Sequence, residues 1–169
     1  MLLFDDNGDH PGLTAAEALC EAGARLELAT PERVLAPDVG GMNYPAYLAA
    51  LQKAGATITL GQRLKAVRRD GNALTAVLWS DYSRQTSERR VDQVIVEHGT
   101  LPLDELYLAL KPLSANLGAV DYEALVAGGP QAATPNPVGA FRLYRIGDAV
   151  ASRNIHAAIY DALRLAKDF

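Results

Sequence analysis

Apolar and polar positions follow two different periods along the chain, and the switches between them divide it into elements. Leu2-Leu3-Phe4 is a short unbroken apolar run that predicts a buried strand. After the polar turn Asp5-Asp6-Asn7-Gly8-Asp9, the Ala-rich segment from Leu13 to Ala22 predicts a helix closed by Gly23, with Leu13, Ala16, Leu19 and Cys20 on its inner face. Ala24 to Ala29 reads as a second strand, Leu26 and Leu28 alternating with Arg25 and Glu27. A Pro/Gly-rich loop (Pro37 to Gly41) leads to a helix over Tyr44 to Ala54, and Ala56 to Leu60 is a short strand. Leu64 to Arg69, Ala73 to Asp81 and Glu88 to Val96 are strand-like, and Val94-Ile95-Val96 looks like a return to a buried strand that ends at His98-Gly99-Thr100. Asp70-Gly71-Asn72 between the first two is a hairpin signal.

Beyond His98-Gly99-Thr100 the pattern loosens. Pro102 to Leu110 predicts a short helix, and 111–139 reads mostly as loop with one helical turn at Tyr122 to Val126. Phe141 to Ile146 is expected as the last strand. Asn154 to Lys167 is expected as the last helix, with Ile155, Ala158, Ile159, Ala162 and Leu165 as its apolar stripe. Strands alternating with helices at the start of the chain predict an α/β fold, a Rossmann-like three-layer parallel sheet with a small antiparallel β-meander. A length of 169 residues suits one compact unit.

Charge and composition narrow the partners. A formal net charge of −4 argues against nucleic acid and against an anionic membrane surface. No apolar run approaches the roughly 18 residues of a membrane span, and no cleavable signal pattern opens the chain, so the expected location is cytoplasmic. The single cysteine, Cys20, cannot form an internal disulfide and reads as a small core residue; a cysteine-ligated iron–sulfur cluster or zinc site cannot be housed by this chain alone. His10, His98 and His156 lie on three different elements without ligand spacing, which predicts no metal site. Neither a P-loop nor a serine nucleophile motif is present, and no catalytic residue is predicted.

The first strand, its Asp/Gly turn and the Ala-rich helix are how a dinucleotide-binding βαβ unit opens. Aligning Gly12 with the third glycine of G-x-G-x-x-G puts Asn7 at the first and Asp9 at the second. The second glycine normally lets the backbone approach a pyrophosphate. A carboxylate there, with Asp5 and Asp6 close by, repels it. Thr30-Pro31-Glu32-Arg33 occupies the tip of the second strand, where Glu32 could reach a ribose and Arg33 a phosphate, or where both could be solvated loop charges.

Four pieces stand in a recognisable order: Phe4-Asp5-Asp6-Asn7-Gly8-Asp9-His10-Pro11-Gly12; Gly40-Gly41-Met42-Asn43; Val96-Glu97-His98-Gly99-Thr100-Leu101-Pro102; and Arg145-Ile146-Gly147-Asp148-Ala149. Over nearly its whole length the chain resembles the C-terminal dinucleotide-binding region of the large NADH:flavin oxidoreductases built on an old-yellow-enzyme barrel. That group includes trimethylamine dehydrogenase, histamine dehydrogenase, 2,4-dienoyl-CoA reductase and N-methylproline demethylases. The resemblance implies a parent whose N-terminal barrel carries FMN and a four-iron (4Fe-4S) cluster, neither bound here. Residues 1–98 resemble an inserted NAD(P)-type domain, and 99–169 the closing part of an FAD-type domain. The paired acids of Asp5-Asp6-Asn7-Gly8-Asp9 look like the amine dehydrogenases rather than the NAD(P)H-driven reductases.

The resemblance also implies the site. Asn7, Gly8 and Gly12 in the first turn, Thr30 and Arg33 at the second strand tip, the crossover Gly99-Thr100 and the pair Gly147-Asp148 are the expected cofactor-binding residues, for an adenine nucleotide (ADP, FAD or NAD(P)). In related flavoproteins the Asp of the last pair accepts a hydrogen bond from the flavin ribityl chain; the alternative is an Asp capping the final helix. The expected role is a nucleotide-binding or electron-transfer scaffold of an amine dehydrogenase or N-demethylase. The alternatives are a working NAD(P)H-to-FAD hydride-transfer domain and a non-catalytic interaction domain. Expected partners are the N-terminal barrel, the rest of the FAD-type domain, an electron-acceptor flavoprotein, and a second copy of the chain through the surface left uncovered.

Overall fold

The computed structural model describes residues 1–167, which divide into two compact units meeting between Gly99 and Thr100. In the first unit, β1 (Leu2–Asp5), β2 (Glu27–Ala29), β3 (Thr57–Thr59) and β7 (Val94–Glu97) form a parallel sheet in the order β3-β2-β1-β7. β1 is central and every one of its residues is buried, as expected of a parallel strand covered on both faces. Its side chains divide by alternation. Leu3 joins Leu28 and Ile95 beneath α1 (His10–Glu21) and α2 (Tyr44–Lys53), where Leu13, Ala16 and Leu51 complete a core. Leu2 and Phe4 face the other way and meet Ala76 and Leu78 of a second sheet.

That second sheet is antiparallel, in the order β4-β5-β6: β4 (Gln62–Asp70), β5 (Ala73–Ser80) and β6 (Thr86–Val91). The α/β fold with a small meander is therefore as expected, and the meander supplies the third layer over the parallel sheet. Arg89 of β6 ties the two sheets by donating from Nε to both oxygens of Glu27, at 3.0 and 2.9 Å, a half-buried charge-assisted contact. The run from Glu88 to Val96 is not one strand. It breaks at Asp92-Gln93 because its halves pair differently, β6 with β5 in the meander and β7 with β1 in the parallel sheet. Trp79 is only partly covered, donating its indole N–H to Asp81 at 3.1 Å with the Lys65 ammonium 5.0 Å from its ring.

The second unit is built differently. It contains α3 (Glu105–Leu110), α4 (Tyr122–Ala127), α5 (Ile155–Ala166) and two short 3₁₀ turns, Lys111–Leu113 and Gly147–Ala149. The strand expected at Phe141 to Ile146 is not there. The segment has no strand neighbour among the described residues, and the Asn116 side chain takes that place, accepting the Leu143 N–H at 2.8 Å and donating to the Leu143 carbonyl at 2.8 Å. Asn116 also donates to the Ala119 carbonyl at 2.9 Å. The buried side chains among this unit's described residues are polar: Ser114, Asn116 and Gln131. The apolar residues point outward instead, and of the stripe expected on α5, Ile155 is 71% and Ile159 61% exposed.

Because Asn116 satisfies both backbone groups of Leu143 while itself 1% exposed, Asn116→Ala strands buried donors and acceptors. The expected loss is about 1–3 kcal/mol, read by denaturant unfolding.

Candidate cofactor site

The turn after β1 is held from inside. The Asp5 carboxylate, 1% exposed, accepts the backbone N–H of Asn7 at 3.0 Å and of Gly8 at 2.9 Å through Oδ1. Its other oxygen lies against Gly12, where a Cβ would stand 2.2 Å from Oδ2. Gly12 thus has the role of a third fingerprint glycine, close packing of helix on strand, with a carboxylate as the strand-side partner. Burial pushes the Asp5 pKa up from the ordinary 3.8, while the two backbone donors pull it down and nearby Glu97 and Asp6 add to the rise. With the folded value above the unfolded one, its contribution to stability is fully present below the unfolded value and is lost as pH rises through the raised one.

Asp9, expected to stand where a second glycine would meet a ligand, is instead the N-cap of α1, accepting the His10 N–H at 2.7 Å. The helix therefore begins at His10 rather than Leu13, with Pro11 in its first turn, where the missing N–H costs nothing. Gly8 takes a positive φ of 73°, and a Cβ there would meet the Pro37 ring at 2.9 Å. The Gly8 carbonyl accepts the Asp38 N–H at 3.1 Å, so the loop after β2 lies over the turn. Asp5 as the acceptor of the turn amides was missed in the sequence, although Asp two and three residues before Asn-Gly is an Asx-turn signal.

At the carboxyl ends of the strands the charge is mostly negative. Asp6 pairs with His98 (Oδ1 to Nδ1, 2.7 Å), and Glu97 accepts the Gly99 N–H at 2.7 Å. Gly99, at φ 80°, lies beside Asn7, whose Oδ1 would be 3.0 Å from a Cβ there. The fold thus brings Asn7, Gly8, Gly12 and Gly99 to one sheet edge. Thr30 is buried, its hydroxyl accepting the Glu32 N–H at 3.3 Å, so it shapes the strand tip from within. Arg33 lines a separate open cavity of about 290 Å³ with Gly61, Gln62, Ser80 and Tyr82.

The second unit brings two expected residues together. Thr100 and Asp148 line one cavity of about 270 Å³ with Leu101, Leu103, Ala149 and Ser152. Gly147 takes φ 56° and donates its N–H to Asp161 Oδ2 at 3.1 Å, and Ala158 of α5 sits where a side chain would be. Asp161 also accepts from Arg153, which holds its carboxyl below the usual range. The cap of α5 is Asn154, accepting the Ala157 N–H at 2.9 Å, so Asp148 does not cap the final helix. Its exposed carboxylate has no hydrogen-bond partner among the described residues. Arg145 fixes the neighbouring backbone, donating to Asp104 at 2.6 Å with its guanidinium 4.8 Å from the Tyr107 ring.

Gly12→Ala places a methyl group into the Asp5 carboxylate. It is expected to lower stability by about 1–3 kcal/mol, measured by denaturant unfolding.

No family model matches the chain. It is 55% identical over 168 residues to a probable N-methylproline demethylase of Rhizobium meliloti, covering 99% of this chain and 25% of that protein. It is 43% identical over 173 residues to N,N-dimethylglycine/sarcosine dehydrogenase of Chromohalobacter salexigens, covering 100% and 25%. It is 34% identical over 167 residues to the multifunctional alkene reductase/demethylase OYE of Caballeronia cordobensis, covering 98% and 25%. In fold it is similar to part of histamine dehydrogenase from Rhizobium sp. 4-9, with a TM-score of 0.68 at 20% identity over 96% of this chain and 22% of that one. A 2-naphthoyl-CoA reductase gives a TM-score of 0.63 at 17% identity over 99% and 21%. The chain spans about a quarter of the length of the curated relatives it matches. By sequence it thus matches a segment of the enzyme group that holds N-methylproline demethylase, dimethylglycine/sarcosine dehydrogenase and the OYE-type demethylase, and its fold is similar to part of histamine dehydrogenase.

Proposed function

We propose that this chain is the C-terminal nucleotide-binding and electron-transfer scaffold of an amine dehydrogenase or N-demethylase. Residues 1–98 form its inserted NAD(P)-type domain, and 99–169 the closing part of its FAD-type domain. The observation that carries the reading is the cavity shared by Thr100 and Asp148, two residues far apart in sequence whose hydroxyl and carboxylate suit a polyhydroxyl chain. About 270 Å³ is too small for a whole dinucleotide, whose sites fall in the range of about 300–1,000 Å³ or more, so this chain would supply one wall. Thr100 and Asp148 would hold the sugar-like portion of an adenine or flavin nucleotide. Gly147, held by Asp161, keeps the backbone close at that point. When bound, such a cofactor supplies electron storage and relay.

FMN and the four-iron cluster belong, in this reading, to the barrel of the parent, where the amine is oxidised; a lone cysteine does not ligate such a cluster. The outward apolar side chains of the second unit support the same assignment. Leu101, Leu103, Leu106, Ile155 and Leu163 are each more than half exposed, and they are the surface that the rest of the FAD-type domain would cover. An acceptor flavoprotein would collect the electrons from the assembled enzyme.

Titrating FAD and ADP into the ¹⁵N-labelled chain is expected to move the amide signals of Thr100 and Asp148. Asp148→Ala is expected to weaken FAD binding at least about fivefold, roughly 1 kcal/mol. Binding of neither compound, or binding indifferent to Asp148, would remove the proposal.

A further inference from the structure

The first unit offers a nucleotide-binding frame whose phosphate position is already filled. In a dinucleotide turn the backbone N–H groups between strand and helix point at the pyrophosphate. Here three of those donors are spent on the chain itself. The amides of Asn7 and Gly8 go to Asp5, that of His10 goes to Asp9, and Pro11 has none. The glycine of the turn is covered: a Cβ on Gly8 would stand 2.9 Å from Pro37 Cδ, and the Asp38 N–H closes the contact on the Gly8 carbonyl.

Charge acts in the same direction. Asp5, Asp6, Asp9 and Glu97 gather where the strands end, and His98, paired to Asp6, is the basic group held among them. Arg63 lies in the field of Asp6 and Glu32 but is bonded to Asp81. A pyrophosphate entering this edge would have to displace two internal carboxylates and then sit among the others.

We infer that Asp5, backed by Gly12 and assisted by Asp9, is an internal occupant of the turn that excludes the pyrophosphate of NADH and NADPH from the first unit. Asp5 is then a specificity-determining residue: with it in place the frame keeps the βαβ fold and accepts no hydride donor. This deepens the scaffold reading, since electrons would enter the parent from its amine substrate and not through this unit. The geometry that supports it lies in residues 5–12, 37–38 and 97–98 of the first unit, and involves none of the residues lining the Thr100–Asp148 cavity.

The test is calorimetric titration of the 169-residue chain with NADH, NADPH and ADP-ribose. The wild-type chain is expected to show no binding tighter than about 1 mM. The double variant Asp5→Ala/Asp9→Gly, its fold verified by circular dichroism, is expected to gain at least about tenfold in affinity for ADP-ribose. Wild-type binding at micromolar NADH overturns the inference, and so does a folded double variant that gains nothing. Should the variant fail to fold, hydrogen exchange on the wild type decides. Asn7 and Gly8 amides already protected without ligand, and unchanged on adding NADH at about 1 mM, support an internal occupant; unprotected amides, or added protection from NADH, overturn it. FAD titration run in parallel keeps the two readings apart, because loss of the Thr100 and Asp148 response would sink the scaffold proposal and leave the NADH result standing.

Discussion

A buried carboxylate has to be solvated by something, and in this chain the backbone of its own turn does it. Asp5 ends the central strand fully covered, and two successive amides converge on one of its oxygens while the other is pressed against a residue with no side chain. Those contacts fix where the chain leaves the sheet and where α1 can start, and they set how closely that helix lies on β1. The helical core of the first unit, Leu3, Leu13, Ala16, Leu28 and Leu51, is assembled around that spacing. An unpaired ionised group in such a place would cost several kcal/mol, so amides that would serve a phosphate elsewhere are here required by the fold.

The second unit obeys the complementary constraint. Its interior is polar and small, organised by Asn116, Ser114 and Gln131 bonding to loop backbone, while many of its leucines and isoleucines face outward. Side chains of that kind ordinarily stabilise a fold by leaving water. Here many of them stay exposed, and in the proposed reading the rest of the FAD-type domain would cover them.

Much of the fold was legible in the sequence because the first unit's pattern is strong. The unbroken run Leu2-Leu3-Phe4 before a polar turn reads as a buried strand, and Asp70-Gly71-Asn72 between alternating runs marks the meander hairpin between β4 and β5. The strand reading that failed did so for a physical reason. Phe141 to Ile146 has strand-like residues, but a strand needs a neighbour, and the Asn116 side chain offered local bonds in its place. Val94-Ile95-Val96 is legible as a return to a buried strand, but the break before it is not, because β-propensity does not record which partner each half will find. At the candidate site, the glycines and acids of the turn were visible, but their roles were not. Motif alignment drew attention to Asp9, whereas burial and packing against Gly12 make Asp5 the residue that occupies the turn. That Thr100 and Asp148 share a cavity follows only from how the loops fold.

The central claim, that the Asp5 carboxylate is the resident anion of the turn, is most directly tested by following its side-chain ¹³C resonance as a function of pH together with the amide protons of Asn7 and Gly8. The account predicts a single transition above the ordinary carboxylate value, shared by all three signals, because protonating Asp5 weakens the bonds those amides donate. An Asp5 that titrates in the ordinary range, with both amide signals indifferent to it, would contradict the account.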